Sequence, residues 1–123
     1  MTVKESTQIA FDFFEGVNKT REILNEFLSN YNLNLYDIEL LLIVYKHRKI
    51  QLRTIVNDEL IKANQINKSV RNLYNLKLID KKRLPKDERT VQLLIRESSR
   101  EQVERVIEQF SDKVKKINLG YNL

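Results

Sequence analysis

Apolar residues recur along the first thirty positions at close to helical spacing: Ile9, Phe13, Val17, Leu24 and the pair Phe27–Leu28. That period predicts a helix over Val3–Ser29. Thr2 and Glu5 stand ahead of it at capping-box spacing. Phe11, Phe14 and Ile23 widen the stripe beyond one face, so burial on more than one side is expected. Gly16 lies inside, at a cost of about 1 kcal/mol relative to Ala. A kink, a close helix approach or simple tolerance would each fit it. A second helix is predicted over Leu35–His47. Asn34 is its N-cap, with Asp37 three residues on, and Leu33 and Ile38 are placed as a hydrophobic staple. Ile38, Leu41, Leu42 and Tyr45 give it a core face. A short third helix follows over Leu52–Leu60, with Leu52, Ile55, Val56 and Leu60 inward. Ile61–Ala63 make a turn, and a fourth helix covers Asn64–Asn75.

Beyond that point the period changes. Val91, Leu93 and Ile95 alternate with Thr90, Gln92 and Leu94, the two-residue signature of a strand. Strands are predicted over Ile79–Arg83 and Thr90–Ile95, joined by residues 84–88, which hold the chain's one proline. The last helix is expected to begin near Ser98, with Glu101 completing a capping box. Val103, Val106, Ile107, Phe110, Val114 and Ile117 give it an apolar stripe, and residues 118–123 read as a frayed tail.

Two glycines and one proline in 123 residues leave little material for turns, so long helices should dominate. The length fits a single domain spanning 1–123. The expected class is mostly α with a small β-hairpin (α+β), a dimeric winged helix-turn-helix. Its helix-turn-helix occupies 52–76 and its wing 79–95. The absence of cysteine excludes disulfides, cysteine–zinc sites and thiol redox sensing. Met1–Ser6 has no apolar core of signal-peptide length. The longest apolar run, Leu40–Tyr45, is far short of a membrane span. A soluble, cytoplasmic protein with no membrane partner is expected.

Charge sharpens this picture through its distribution. Residues 62–89 hold nine basic and three acidic side chains, a net of +6, while the whole chain carries +5. Residues 1–45 carry three basic and seven acidic groups, a net of −4. A polyanion-binding surface confined to the centre would produce this pattern. The fourth helix agrees with it. On a helical wheel Ile66, Val70 and Leu73 form its inner face, and the outer face is built from Asn, Lys and Arg with Gln65 at its edge. No acid occurs between Ile61 and Ile79. An ordinary solvated face would carry glutamates too, as the last helix does. Asn and Gln can pair with adenine in the major groove, and Arg or Lys with guanine. Asn64, Gln65, Asn67, Lys68 and Arg71 are therefore expected at base edges, with Asn72 and Asn75 nearer the backbone. Lys81, Lys82, Arg83, Lys86 and Arg89 on the wing can neutralise phosphates or enter the minor groove. Asp87 and Glu88 are read as wing-shaping residues, Asp87 by bonding Arg89 or the loop backbone. Solvated charge is the plainer account of both acids.

The run from Asp80 to Val91, Asp-Lys-Lys-Arg-Leu-Pro-Lys-Asp-Glu-Arg-Thr-Val, resembles the wing signature of the staphylococcal SarA family, a branch of the MarR-like winged-helix regulators. The resemblance covers about residues 33–117. It implies a dimeric transcription regulator of virulence or related genes that binds AT-rich promoter DNA. It also implies that Arg83 and Arg89 are wing contacts to DNA, and that Asp87 and Glu88 belong to the wing pattern. The chain departs from some members in having no cysteine near its N-terminus.

Two copies spaced one helical turn apart would gain specificity together. The helices at 1–30 and 98–117 supply apolar stripes for such a homodimer, with Phe11, Phe14, Val17, Phe110 and Val114 among the expected contacts. An enzyme reading is weak. His47, the one histidine, sits in a Lys-His-Arg-Lys run, and no metal-spaced cluster or glycine-rich phosphate loop occurs. No catalytic residue, metal, cofactor or small-molecule effector is expected. His47 with Lys46, Arg48, Lys49 and Arg53 would suit a second phosphate-contacting patch. The alternatives to double-stranded DNA as partner are RNA or another regulator bound by an adaptor. Against RNA, Tyr74 is the only aromatic in the basic segment, and it flanks the core.

Overall fold

The computed structural model describes residues 1–57, 61, 63–84 and 87–121, with backbone alone at 63, 84, 87–90 and 118–121. The chain order is α1 (Val3–Ser29), α2 (Leu35–His47), β1 (Lys49–Gln51), α3 (Leu52–Asn57), α4 (Ala63–Asn75), β2 (Ile79–Leu84) and β3 (Asp87–Ile95). A 3-10 turn (Glu97–Ser99) then leads into α5 (Arg100–Tyr121). The strands form one antiparallel sheet in the order β1-β3-β2. No described helix is long and apolar enough to cross a membrane.

Local chemistry sets most element ends. The Thr2 hydroxyl accepts the Glu5 N–H at the start of α1. At α2 the capping box is complete in both directions: Asn34 Oδ1 accepts the Asp37 N–H, and Asp37 Oδ2 accepts the Asn34 N–H. With glycine scarce, the left-handed turn positions fall to Asn32, Arg48 and Lys77, at φ of 60°, 64° and 63°. At Asn32 and Lys77 the helix closes with the paired bonds of a Schellman turn. Leu33 N–H reaches the Leu28 carbonyl and Leu78 N–H reaches that of Leu73.

The core gathers Leu28, Leu40, Leu41, Ile55, Ile66, Leu73, Leu93 and Val103, all fully buried, between α2, α4, the sheet and α5. The staple pair Leu33 and Ile38 is buried with them. Some expectations are corrected. β1 is a strand that the sequence pattern does not predict. It pairs Lys49, Ile50 and Gln51 with Leu94, Leu93 and Gln92 and so adds a third strand. In α3 only Ile55 is fully buried, Leu52 is half-buried, and Val56 is 41% exposed rather than inward. Leu60 and Lys62 lie outside the described residues. The hairpin strands run further toward each other than expected, to Leu84 and from Asp87. The last α-helix starts at Arg100, behind the 3-10 turn, and continues to Tyr121 instead of fraying at 118. Ser99, rather than Ser98, makes the tie there: its Oγ donates to the Lys77 carbonyl at 2.6 Å.

Candidate nucleic-acid interface

Burial along α4 follows the wheel. Ile66, Ser69, Val70 and Leu73 are buried, while Asn64, Asn67, Lys68, Arg71 and Asn75 are exposed. Gln65 is half-buried at the edge. The apolar side seats the helix against α2 and β2, and the outer side holds cations and amides with no carboxylate among them. Its bidentate-capable side chains stand close together on one helical face, the arrangement a groove-reading helix needs.

The wing begins where α4 ends. On β2, Lys81, Lys82 and Arg83 are exposed and face Leu93, Gln92 and Val91 across the ladder, so they alternate between the two faces of the sheet. Lys81 lies on the same face as the buried Ile79. Its Nζ sits 4.3 Å from the centroid of the Tyr74 ring, a cation–π contact from β2 to α4. Asp80, the acid of β2, accepts from Arg96 Nε at 3.0 Å. Its negative charge is thus met at the base of the wing by a residue outside the 62–89 stretch. Lys86 lies outside the described residues. Asp87, Glu88 and Arg89 are described as β3 backbone, and their side chains lie outside what is described.

Asn72 is the correction within the predicted contact set. It is half-buried, and its Nδ2 donates to Asp37 Oδ2 at 2.8 Å and to the Asn32 carbonyl at 3.0 Å. Both amide hydrogens are used inside the fold, so Asn72 does not belong with the outward readers. Tyr74 was expected to flank the core but is 42% exposed and carries Lys81. Alternating burial could not reveal that contact, because it depends on where the wing folds back.

The second cationic run divides. Lys46, His47, Arg48, Lys49 and Arg53 are all exposed. β1 runs antiparallel to β3, with Gln51 opposite Gln92 and Lys49 opposite Leu94. Lys46–Lys49 therefore sit at the end of β1 farther from the wing tip, and Arg53 lies beyond the nearer end.

Away from this surface, the outer part of α1 is strongly apolar and uncovered. Phe11, Phe13 and Phe14 are 66%, 65% and 60% exposed. Ile9, Phe13 and Val17 line a cleft of about 520 Å³ with Asp12, Gly16, Thr20 and Ile117 of α5. Phe11 and Phe14 line a separate hollow with Glu15, Asn18, Lys19 and Glu22. Gly16 stays helical inside α1 and contributes to the cleft wall. On α5, Phe110 and Val114 are half-buried, and Phe110 packs partly on the chain's own core.

The family model for the transcriptional regulators SarA/Rot matches residues 22–106, which include α2, the helix-turn-helix, the wing and the first part of α5. The chain belongs to this family. Solved MarR-family structures share its fold. The regulator Sco3205 from Streptomyces coelicolor, solved in complex with DNA, superposes with a TM-score of 0.83 at 14% identity, over 100% of this chain and 78% of that one. AbsC, a MarR-family transcriptional regulator from the same organism, gives 0.79 at 14% identity over 100% and 84%. Reduced AbfR bound to DNA gives 0.71 at 16% identity over 89% and 79%; AbfR itself is from Staphylococcus epidermidis. No curated protein sequence is significantly similar to this chain. The SarA/Rot regulator described here has the fold of the MarR-type winged-helix regulators.

Proposed function

We propose that this SarA/Rot regulator binds double-stranded DNA as a homodimer, with α4 in the major groove and the wing on the adjacent backbone and minor groove. The observation that carries the reading is the outer face of α4: exposed Asn64, Asn67, Lys68 and Arg71, with no acid between Ile61 and Ile79. A second helix placed behind a short first helix is the docking geometry of this motif. Gln65 contributes at the helix edge. Lys82, Arg83, Lys86 and Arg89 supply wing cations, and Lys81 supports the wing base from its place over Tyr74. Asp87 and Glu88 shape the tip. DNA in the Sco3205 and AbfR structures supports the same partner here. The family supports a role at AT-rich promoters of virulence-related genes. One face of Tyr74 is covered by Lys81, which favours a duplex over stacked single-stranded RNA.

The uncovered apolar side of α1 supports the homodimer. Its stripe continues the buried Leu24 and Leu28 outward through Val17, Phe13 and Ile9. A surface of that size and character is normally covered. A second copy fits it, with Phe11, Phe14, Val17, Val114 and the outer edge of Phe110 among the contacts. The test is titration of the purified protein into a fluorescent 30-base-pair AT-rich duplex across a salt series. Saturable binding that weakens steeply with salt is expected. No binding even in dilute buffer would overturn the reading.

A further inference from the structure

Asn72 stands on the reading helix, yet its side chain closes back on two other elements. The Asp37 carboxylate that receives it is 3% exposed and also holds the Asn34 N–H at 3.0 Å. The Asn32 carbonyl that receives its second hydrogen belongs to the left-handed turn after α1. One amide therefore ties α4 to the capping box of α2 and to the turn that ends the α1 arm. Apart from the buried Ser69, the rest of the α4 seat is apolar: Ile66, Val70 and Leu73. Apolar contact resists separation but is non-directional and tolerates small rotations. Hydrogen bonds at 2.8 and 3.0 Å have preferred angles and do not. Arg71 precedes Asn72, and Lys68 lies one turn before it on the same helix. A small rotation of α4 would carry both away from the base edges they face. Recognition groups need placement to about 0.5 Å and 10–20°.

We infer that Asn72 and Asp37 are positioning residues that fix the rotation of α4 and thereby set the discrimination between DNA sequences. The inference rests on the reading of α4 as the DNA-contacting helix. The probes are two duplexes of equal length and composition, one recovered by selecting random-sequence DNA on the wild-type protein and one its scrambled counterpart. Asn72→Ala should lower affinity for the selected duplex roughly tenfold, the loss of about one base contact. Affinity for the scrambled duplex should stay within about twofold, since phosphate contacts carry it. Asn72→Asp should cost more, because it sets a second carboxylate against Asp37. Combining Asp37→Asn with Asn72→Asp restores the bond between the two side chains in reversed direction but not the one to the Asn32 carbonyl, so it should regain part of the discrimination that Asn72→Asp loses. A role in stability alone would lower the melting temperature and leave the ratio of the two affinities at its wild-type value. That result overturns the inference, as does an exchanged pair no better than Asn72→Asp. If the wild type binds no duplex, both the reading of α4 and the inference fall. If the wild type discriminates and every variant does so equally, only the inference falls.

Discussion

The outer half of α1 and the outer face of α4 are both exposed, and they are exposed for different physical reasons. On α1, Ile9, Phe13 and Phe14 are more than half open to water. Each such side chain forfeits a good part of the about 1.5–3 kcal/mol that full burial would supply. On α4, Asn64, Asn67, Lys68 and Arg71 are at home in water and lose nothing by being there. The first surface is out of balance with water by its energy. The second stands out only by composition, since what distinguishes it from an ordinary solvated face is the lack of any acid. An apolar surface is satisfied by any complementary apolar surface, while a cation–amide surface without carboxylates selects for a polyanion.

The largest expected effect tests the apolar side. Phe13→Glu combined with Val17→Glu places two carboxylates in the α1 stripe and should weaken self-association by on the order of a hundredfold or more. Sedimentation equilibrium would read this as a shift from dimer to monomer mass. Phe11 and Phe14 line the other hollow. Phe11→Ser with Phe14→Ser should give a comparable loss if the helix is covered on both sides. Unchanged association in that second variant would confine the interface to the cleft lined by Ile117. A wild type that stays monomeric at high concentration would break the comparison itself.

Next in size is the polar side. Asn67→Ala or Arg71→Ala should remove about 1–3 kcal/mol of preference at single base positions and leave most other positions unchanged. Competition with single-base variants of a selected site would measure it. A uniform loss across all variants would instead mark both residues as backbone contacts.

Much of this was legible from the chain alone, and the reason is locality. The Thr2 and Asn34 caps, the α2 staple and the α4 wheel each depend on residues within one helical turn of one another, and each is present in the structure. What escaped depends on distant neighbours. β1 is three residues, Lys-Ile-Gln, whose strand form comes from pairing with β3 some forty positions later. Asn72 lies at the border of the α4 outer face, and only the position of α2 decides that its amide turns inward to Asp37. Tyr74 is likewise placed by a lysine on the following strand. Side-chain chemistry named the surfaces, and tertiary contact then sorted the residues at their edges.

The wing supplies a smaller and more uniform effect. Arg89→Ala should weaken binding to selected and scrambled duplexes alike. It should also reduce the slope of log affinity against log salt by roughly 0.9, the share of one phosphate contact. A sequence-selective loss with an unchanged slope would move Arg89 from backbone to base recognition.

The smallest effect concerns the tethers that hold α5 against the helices between the two surfaces. Tyr31 at the end of α1 donates its hydroxyl to Gln109. Tyr45 of α2 donates to Glu104 Oε2 at 2.5 Å. The bond to the Glu104 carboxylate, reinforced by burial and the negative charge beside it, raises the Tyr45 pKa above the ordinary value of 10.0. The folded protein therefore keeps this proton at a pH where the unfolded chain has released it. The tether contributes fully below about pH 10 and is lost as pH rises through the folded-state value. Thermal melts of wild type and Tyr45→Phe should differ by a constant amount from pH 7 to 9, and that difference should shrink above about pH 10. A gap that stays constant into strong alkali would mean that the Tyr45 proton is not what joins α2 to α5.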